Sequence, residues 1–500
     1  MQQSRSGSWW QALFLAAGLL LGQACHSGGG EENVPPPPPL DIGDALRATQ
    51  GVTSVLEQAS TVTGTRFFVC AFQQPVDHSD PSGAGFQQTF TLLYRSRTAP
   101  VVLATTGYGI SRNSGQGEPT SLLQANQITL EHRYFAPSAP ATMDWPRLTI
   151  AQAANDQHRL VLALRPQFNG RWINTGGSKG GMTALYHRRF FAADVDATLA
   201  YVAPNSLGNP DPRYIAFVDS RGTGACRAAL DAWQQAILNR RTEVRALLEA
   251  DAARLGRTLN VLGSDMTLEF AVIEAPFTFW QYSNASLCSQ IPAPTATPQA
   301  LYAFLDTVYF GVVSSWDDAA LSYYAPYYYQ SAVQLGYPAV KDAHLTGLLY
   351  RGLDLPERYP PLGVPKPYDA AAMADIQNWV DSAASKVMFV YGENDSWSGG
   401  AFALPAAARA RDNFLYVVPA GNHGSRLSQL PDAQRAEAYA TLSRWLGVPV
   451  QAATAPVAAV AVPTFDGEAT FIQRKPVRDA AVENRKSKIE NRKSATMTEP

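Results

Sequence analysis

Apolar and polar positions alternate in two distinct rhythms along this 500-residue chain. From about 65 to 215, short apolar runs trade places with segments of helical spacing. "TRFFVCAFQQPV" and "FQQTFTLLYRS" predict two strands joined by a Gly/Pro/Asp-rich turn. "PVVLATTGYG", "NQITLEHRYF", "RWINTGGS" and "VDATLAYVAPNS" are compact apolar runs, the mark of strands buried on both faces. "LTIAQAANDQHRLVLALR" and "GGMTALYHRRFF" carry the helical period between them. Strand, helix, strand, helix predicts an α/β domain with a mostly parallel sheet.

From about 216 to 365 the pattern turns helical and aromatic, as in "LSYYAPYYYQSAVQLGY". After about 370 the alternation resumes. "SKVMFVYGENDSW" and "NFLYVVPAGNHGSR" read as strands ending in polar residues. "GAFALPAAARAR" and "DAQRAEAYATLSRWLG" read as helices. The expected organisation is therefore a core first half at 46–215, a helical cap at 216–365 and a core second half at 366–450.

The ends differ from the middle. "WWQALFLAAGLLLG" behind Arg5 reads as an export signal over 1–25, too short for a comfortable membrane span. "LLLGQAC" followed by a Gly/Ser-rich spacer resembles a bacterial lipobox, with Gly22 where an aliphatic residue is usual. A lipid anchor on Cys25 and a plainly secreted or periplasmic protein are both left open. Glycines and then five consecutive prolines make 26–45 a tether. The charged near-repeat "VENRKSKIENRKS" makes 451–500 a disordered tail. Export favours a disulfide, and Cys226 with Cys288, both in the helical region, is the preferred pair; Cys70 falls inside an apolar strand.

Net charge is −2, so no basic field points to nucleic acid. The sequence has no HExxH, no paired Cys-x-x-Cys and no convincing dinucleotide fingerprint, so no metal or cofactor is expected. Oligomeric state is not legible.

The chemistry gathers at "GGSKG", 176–180, which fits G-x-S-x-G between a strand and a helix. There a serine takes a strained turn that lifts its hydroxyl above the sheet, and small neighbours are needed because a Cβ would collide. Ser178 is the candidate nucleophile. A hydroxyl needs a base, usually a histidine held by a carboxylate. Of seven histidines, His423 alone follows the last strand in a glycine-flanked loop. Asp395, with Glu393 as the near alternative, follows the strand before it. Ser178, Asp395, His423 is the order of the α/β-hydrolase fold. The oxyanion donors expected are the amide of Lys179 and that of Tyr108 or Gly109 in "TTGYG"; the Lys179 side chain reads as a solvated head. Activity should fall on the acid side as the imidazole is protonated.

"FQQPVDHSDP", "TTGYG", "LEHRYFAPS", "INTGGSKGGMTALYHRRFF", "YVAPNS", "GENDSW" and "GNHGS" together resemble the bacterial secreted tripeptidyl aminopeptidases, over roughly 65–450. More distantly they are similar to the prolyl carboxypeptidase and dipeptidyl peptidase family. The resemblance implies an α/β-hydrolase serine peptidase that cleaves short peptides from free N-termini, often with proline next to the cut. An exopeptidase needs a buried anion for the substrate's ammonium. Glu274 is the candidate clamp, with Glu269 beside it; Glu131 is expected to pair with Arg133 under the site or to help orient substrate. An esterase with the same three residues, and a non-catalytic surface lipoprotein on the same fold, are the competing readings.

Overall fold

The computed structural model describes residues 40–350 and 354–451. The export signal, most of the tether, the Cys25 lipobox and nearly all of the tail lie outside the described residues. Asp41 onward clusters as one compact unit.

Nine strands form one sheet: β1 Val52–Gln58, β2 Arg66–Pro75, β3 Gly85–Tyr94, β4 Val101–Thr105, β5 Asn126–Leu130, β6 Trp172–Gly177, β7 Ala197–Tyr201, β8 Val387–Gly392 and β9 Phe414–Val418. Their spatial order is β1-β2-β3-β5-β4-β6-β7-β8-β9. β1, β2, β3 and β5 pair antiparallel, and every pairing from β5 to β9 is parallel. The apolar runs follow from this. Every residue of β4, β6, β7 and β8 is buried, because helices cover both faces.

Before β8 the helices are α1 Ile42–Ala48, α2 Glu118–Leu123, α3 Ile150–Leu164, α4 Lys179–Phe190, α5 Arg213–Val218, α6 Gly224–Asn239, α7 Arg241–Leu255, α8 Ser264–Tyr282, α9 Pro298–Tyr309, α10 Val312–Trp316, α11 Asp318–Tyr323, α12 Ala325–Gln330 and α13 Ala371–Ser382. α14 Ala406–Arg409 precedes β9 and α15 Asp432–Leu446 follows it. α5 to α12 all fall between β7 and β8. Their core is a separate cluster around Trp233, Phe270, Trp280, Leu301 and Phe304. Cys226 and Cys288 are joined there by a disulfide, and Cys70 is a buried free thiol on β2.

Two local expectations are corrected. α1 starts at Ile42, inside the 26–45 stretch read as tether, because Ile42, Ala45 and Leu46 are buried on the sheet and Asp41 caps the helix. "GAFALPAAARAR" yields only the single turn of α14: Pro405 stands where a longer helix would need a donor, and Ala401 bridges to Pro204 instead.

Candidate active site

β6 ends at Gly177 and α4 starts at Lys179, leaving one residue for the turn. Ser178 takes it with φ 53° and ψ −127°, a conformation L-residues rarely adopt. The turn is possible only because its neighbours are small. A Cβ on Gly176 would lie 2.3 Å from the Gly180 carbonyl carbon and 2.5 Å from the Thr105 oxygen. Neither backbone can yield, since one is α4 and the other β4. Gly176→Ala is therefore expected to destabilise the fold by more than about 3 kcal/mol, read as a lowered urea midpoint at unchanged m-value.

The other two candidates come from the ends of the next parallel strands. β8 ends at Gly392, and the loop returns with Asp395 fully buried. Its Oδ1 accepts the Trp397 N–H at 3.1 Å, which fixes the carboxylate plane. Its Oδ2 lies 2.8 Å from Nδ1 of His423, in the loop after β9. Glu393 faces solvent and accepts the Ala420 N–H at 2.7 Å, so it braces the histidine loop from outside. Gly392 lets the two loops touch: a Cβ there would sit 2.5 Å from the Asn422 oxygen. The His423 ring lies 6.3 Å from that of Trp397, and Trp397 shares a small cavity with Ser178. Ser178, Asp395 and His423 thus all follow the C-terminal ends of parallel strands, and a hydrogen bond joins the last two.

The helices between β7 and β8 close this rim. α8 ends on the histidine loop, with the His423 N–H donating to the Gln281 carbonyl at 2.9 Å and Asn422 Nδ2 to that of Tyr282 at 2.9 Å. Ser396 of the acid loop donates to Phe277 of the same helix. Beside Ser178 a second cavity of about 180 Å³ opens among Tyr108, Tyr327, Tyr337, Trp316 and Trp397, with Glu274 in its wall. Tyr108, Tyr327 and Trp397 line both cavities, so the two are neighbours.

The oxyanion expectation needs adjustment. The Lys179 amide is in the first turn of α4, where no intrahelical acceptor exists. In the β4 loop, however, the Tyr108 N–H donates to Thr106 Oγ1 at 3.0 Å and the Gly109 N–H to the Tyr323 hydroxyl at 3.3 Å. Either would have to trade that partner for a developing oxyanion. The Lys179 side chain is not a solvated head. It is 1% exposed, its Nζ donates to the Gly107 carbonyl at 2.6 Å, and it sits over the Tyr108 and Phe135 rings. Burial holds its pKa well below the usual lysine range. It ties the β4 loop to the elbow.

Two of the acids are corrected. Glu269 is fully buried and bound to Arg241 Nη2 at 2.6 Å and to the Tyr350 N–H at 2.8 Å. It is a packing ion pair within the cap and does not line either cavity. Glu131 does not pair with Arg133. It accepts from Ser138 Oγ and, at 3.2 Å, from the Ile110 N–H, bracing the β4 loop from below. Arg133 reaches instead to Asp156 on α3, with two bonds of 2.6 Å. Glu274 does line the larger cavity, and its Oε1 accepts from the Tyr337 hydroxyl at 3.0 Å.

Sequence reasoning missed Asp354. It is 6% exposed, its carboxyl neighbours that of Glu274, and it accepts from the Tyr359 hydroxyl. Burial raises both carboxyls, Asp354 to about 6 and Glu274 well above its ordinary value. The only hint in the sequence was an acid between two leucines in "GLDLPERY".

Known proteins bear on this arrangement. A prolyl tri/tetrapeptidyl aminopeptidase of Streptomyces mobaraensis is 41% identical over 442 residues, 88% of this chain and 92% of that protein. Among solved structures, a proline iminopeptidase of Mycobacterium smegmatis is similar at 13% identity, covering 78% of this chain and 98% of its own, with TM-score 0.33. VinJ is similar at 12% identity, 79% and 99% coverage and TM-score 0.34. The profile of the family described as PS-10 peptidase S37 matches residues 36–484, so with a sheet, an elbow and a relative that all agree, this chain belongs to that family of serine peptidases.

Proposed function

We propose that the chain is an exported exopeptidase that releases short peptides, tripeptides foremost and with proline at the cut among them, from free N-termini. The observation that carries this reading is the cavity that shares three wall residues with the one at Ser178 and has the half-buried acid Glu274 in its wall. In it, Ser178 attacks the scissile carbonyl while His423 takes its proton, and Asp395 holds the imidazole with its other nitrogen toward the serine. The acyl-enzyme then yields to water activated by the same histidine. The Lys179 amide is one oxyanion donor, and the Tyr108 or Gly109 amide the other once it gives up its resting partner.

Helix α8 supplies a ruler. Glu274 and Gln281 are seven positions apart on it, an axial rise of about 10 Å, and Gln281 binds the His423 backbone. Three extended residues span about 10 Å. An ammonium at Glu274 therefore brings the third carbonyl near the histidine loop. The aromatic walls suit a flat pyrrolidine ring. The Cys226–Cys288 bond supports an oxidising compartment outside the cytoplasm.

Acetylation of the substrate is the direct test. A free tripeptide-nitroanilide is expected to be turned over at least about 100-fold better, in kcat/KM, than its N-acetyl form, since only the free ammonium gains the charge-assisted hydrogen bond to the acid, an interaction of up to about 3 kcal/mol. Equal rates, or a nitrophenyl ester preferred over both, would make the protein an esterase-like hydrolase.

A further inference from the structure

Asp354 Oδ2 is buried and has no donor among the described residues, yet its neighbour is the Glu274 carboxyl. An ionised carboxylate only accepts hydrogen bonds. With Asp354 buried and Glu274 half-buried, two ionised carboxylates side by side would repel in a partly desolvated site, and a proton shared by the pair relieves the repulsion. The surroundings offer no other remedy. The ionisable groups packed on the pair are phenols: Tyr309 of α9, Tyr328 of α12, and Tyr337 and Tyr359 from the segments that follow. Burial pushes the pKa of Tyr309, Tyr337 and Tyr359 upward, so these three stay neutral near pH 7. Arg241, more than a turn away along the cap, is already bound to Glu269.

We propose that Glu274 and Asp354 together form the receptor for the substrate's α-ammonium, a carboxyl pair that holds one shared proton when empty and exchanges it for the cation. The proposal rests on the reading of Glu274 as the amine anchor and adds Asp354 as a specificity-determining residue. The exchange balances. The ammonium keeps its three protons and donates to Glu274 in the cavity wall, Asp354 behind it supplies the second negative charge, and the displaced proton passes to solvent. Selectivity follows from the same arithmetic. A neutral acetylated terminus leaves the proton in place and meets a receptor already satisfied. A cation converts it into a doubly charged site and gains a charge-assisted hydrogen bond to Glu274.

The pH dependence has a definite sign. Near pH 7 the pair carries one proton and one negative charge. As pH falls through about 6, Asp354 takes up a second proton and the pair becomes neutral. KM for a free-amine substrate should then rise, whereas KM for the acetylated substrate should not change.

The experiment uses the full chain with Ser178→Ala, titrated at pH 6.5 with a proline-containing tripeptide amide in two buffers of different ionisation enthalpy. Release approaching one proton per peptide bound is expected, and binding without proton release overturns the proposal. Asp354→Asn, which keeps an acceptor for Tyr359, provides the second reading in the otherwise active enzyme. KM for the free tripeptide-nitroanilide should rise about tenfold at pH 7. It should also lose its rise below pH 6, with kcat little changed. An unaltered KM profile in Asp354→Asn, alongside a persisting preference for free over acetylated substrate, removes Asp354 and leaves Glu274 as sole anchor. Loss of the preference itself would instead remove the exopeptidase reading.

Discussion

Ser178→Ala is expected to lower kcat/KM on a free tripeptide-nitroanilide by about 10⁴- to 10⁶-fold while leaving the fold and peptide affinity nearly intact. The geometry explains why both halves hold. Ser178 is the single residue between β6 and α4, and its backbone is fixed by glycine contacts rather than by its own hydroxyl. The Ser178 N–H donates to the Tyr201 carbonyl at 2.9 Å and its own carbonyl accepts from Met182 at 3.1 Å; alanine keeps both. What alanine removes is the hydroxyl that the proposed mechanism turns into the acyl ester. Two measurements check the outcome together. A fluorophosphonate should label the parent protein and fail to label the variant, and the variant should bind a tripeptide within about threefold of the parent's affinity. A variant that folds, binds and still turns over within tenfold of the parent would place the nucleophile elsewhere.

How much of this site was legible depends on where each residue sits. Ser178, Asp395 and His423 stand out as candidates because each follows an apolar strand. Such strands read as unbroken apolar runs, and the first polar residue beyond them stands out. The sequence prefers Asp395 to Glu393 without a period to say which side chain turns inward, and the structure places Asp395 on His423 and Glu393 on the Ala420 amide. In the cap the signal fails for a different reason. α8 is buried nearly all round, so Glu269 and Glu274 look equivalent in the sequence. What separates them is Arg241, which is 28 positions from Glu269 and neutralises it alone. Asp354 lies in a Pro-rich stretch without periodicity, and its role exists only through a contact 80 positions away. Lys179 misleads in the opposite sense. A lysine after a candidate nucleophile reads as solvated, but the β4 loop and Phe135 fold over it, and its amino group is held by one backbone carbonyl. Glu131 and Arg133 mislead because they stand close in sequence, whereas the turn after β5 sends them to opposite partners.

Asp395→Asn should cost about 10³- to 10⁴-fold in kcat, with KM nearly unchanged, and it tests the relay rather than the nucleophile. Asp395 Oδ2 can only accept, so Nδ1 of His423 must carry a proton toward it and Nε2 must present a lone pair. The carboxylate also stabilises the imidazolium formed once the serine's proton arrives. An amide in its place can turn its NH₂ group toward Nδ1. The imidazole then holds its proton on Nε2, a donor where a base is required. Asn retains the shape and can still accept the Trp397 N–H through its oxygen, so the loop should stay folded. Glu393→Gln is the matched control. That carboxylate is exposed and holds only the Ala420 amide, which a glutamine oxygen can also accept, so kcat/KM should remain within about threefold. Stopped-time kinetics on the same tripeptide-nitroanilide at pH 7.5 separates the outcomes. A large loss with Asp395→Asn beside a small one with Glu393→Gln assigns the relay as drawn, and the reverse pattern would hand the role to Glu393.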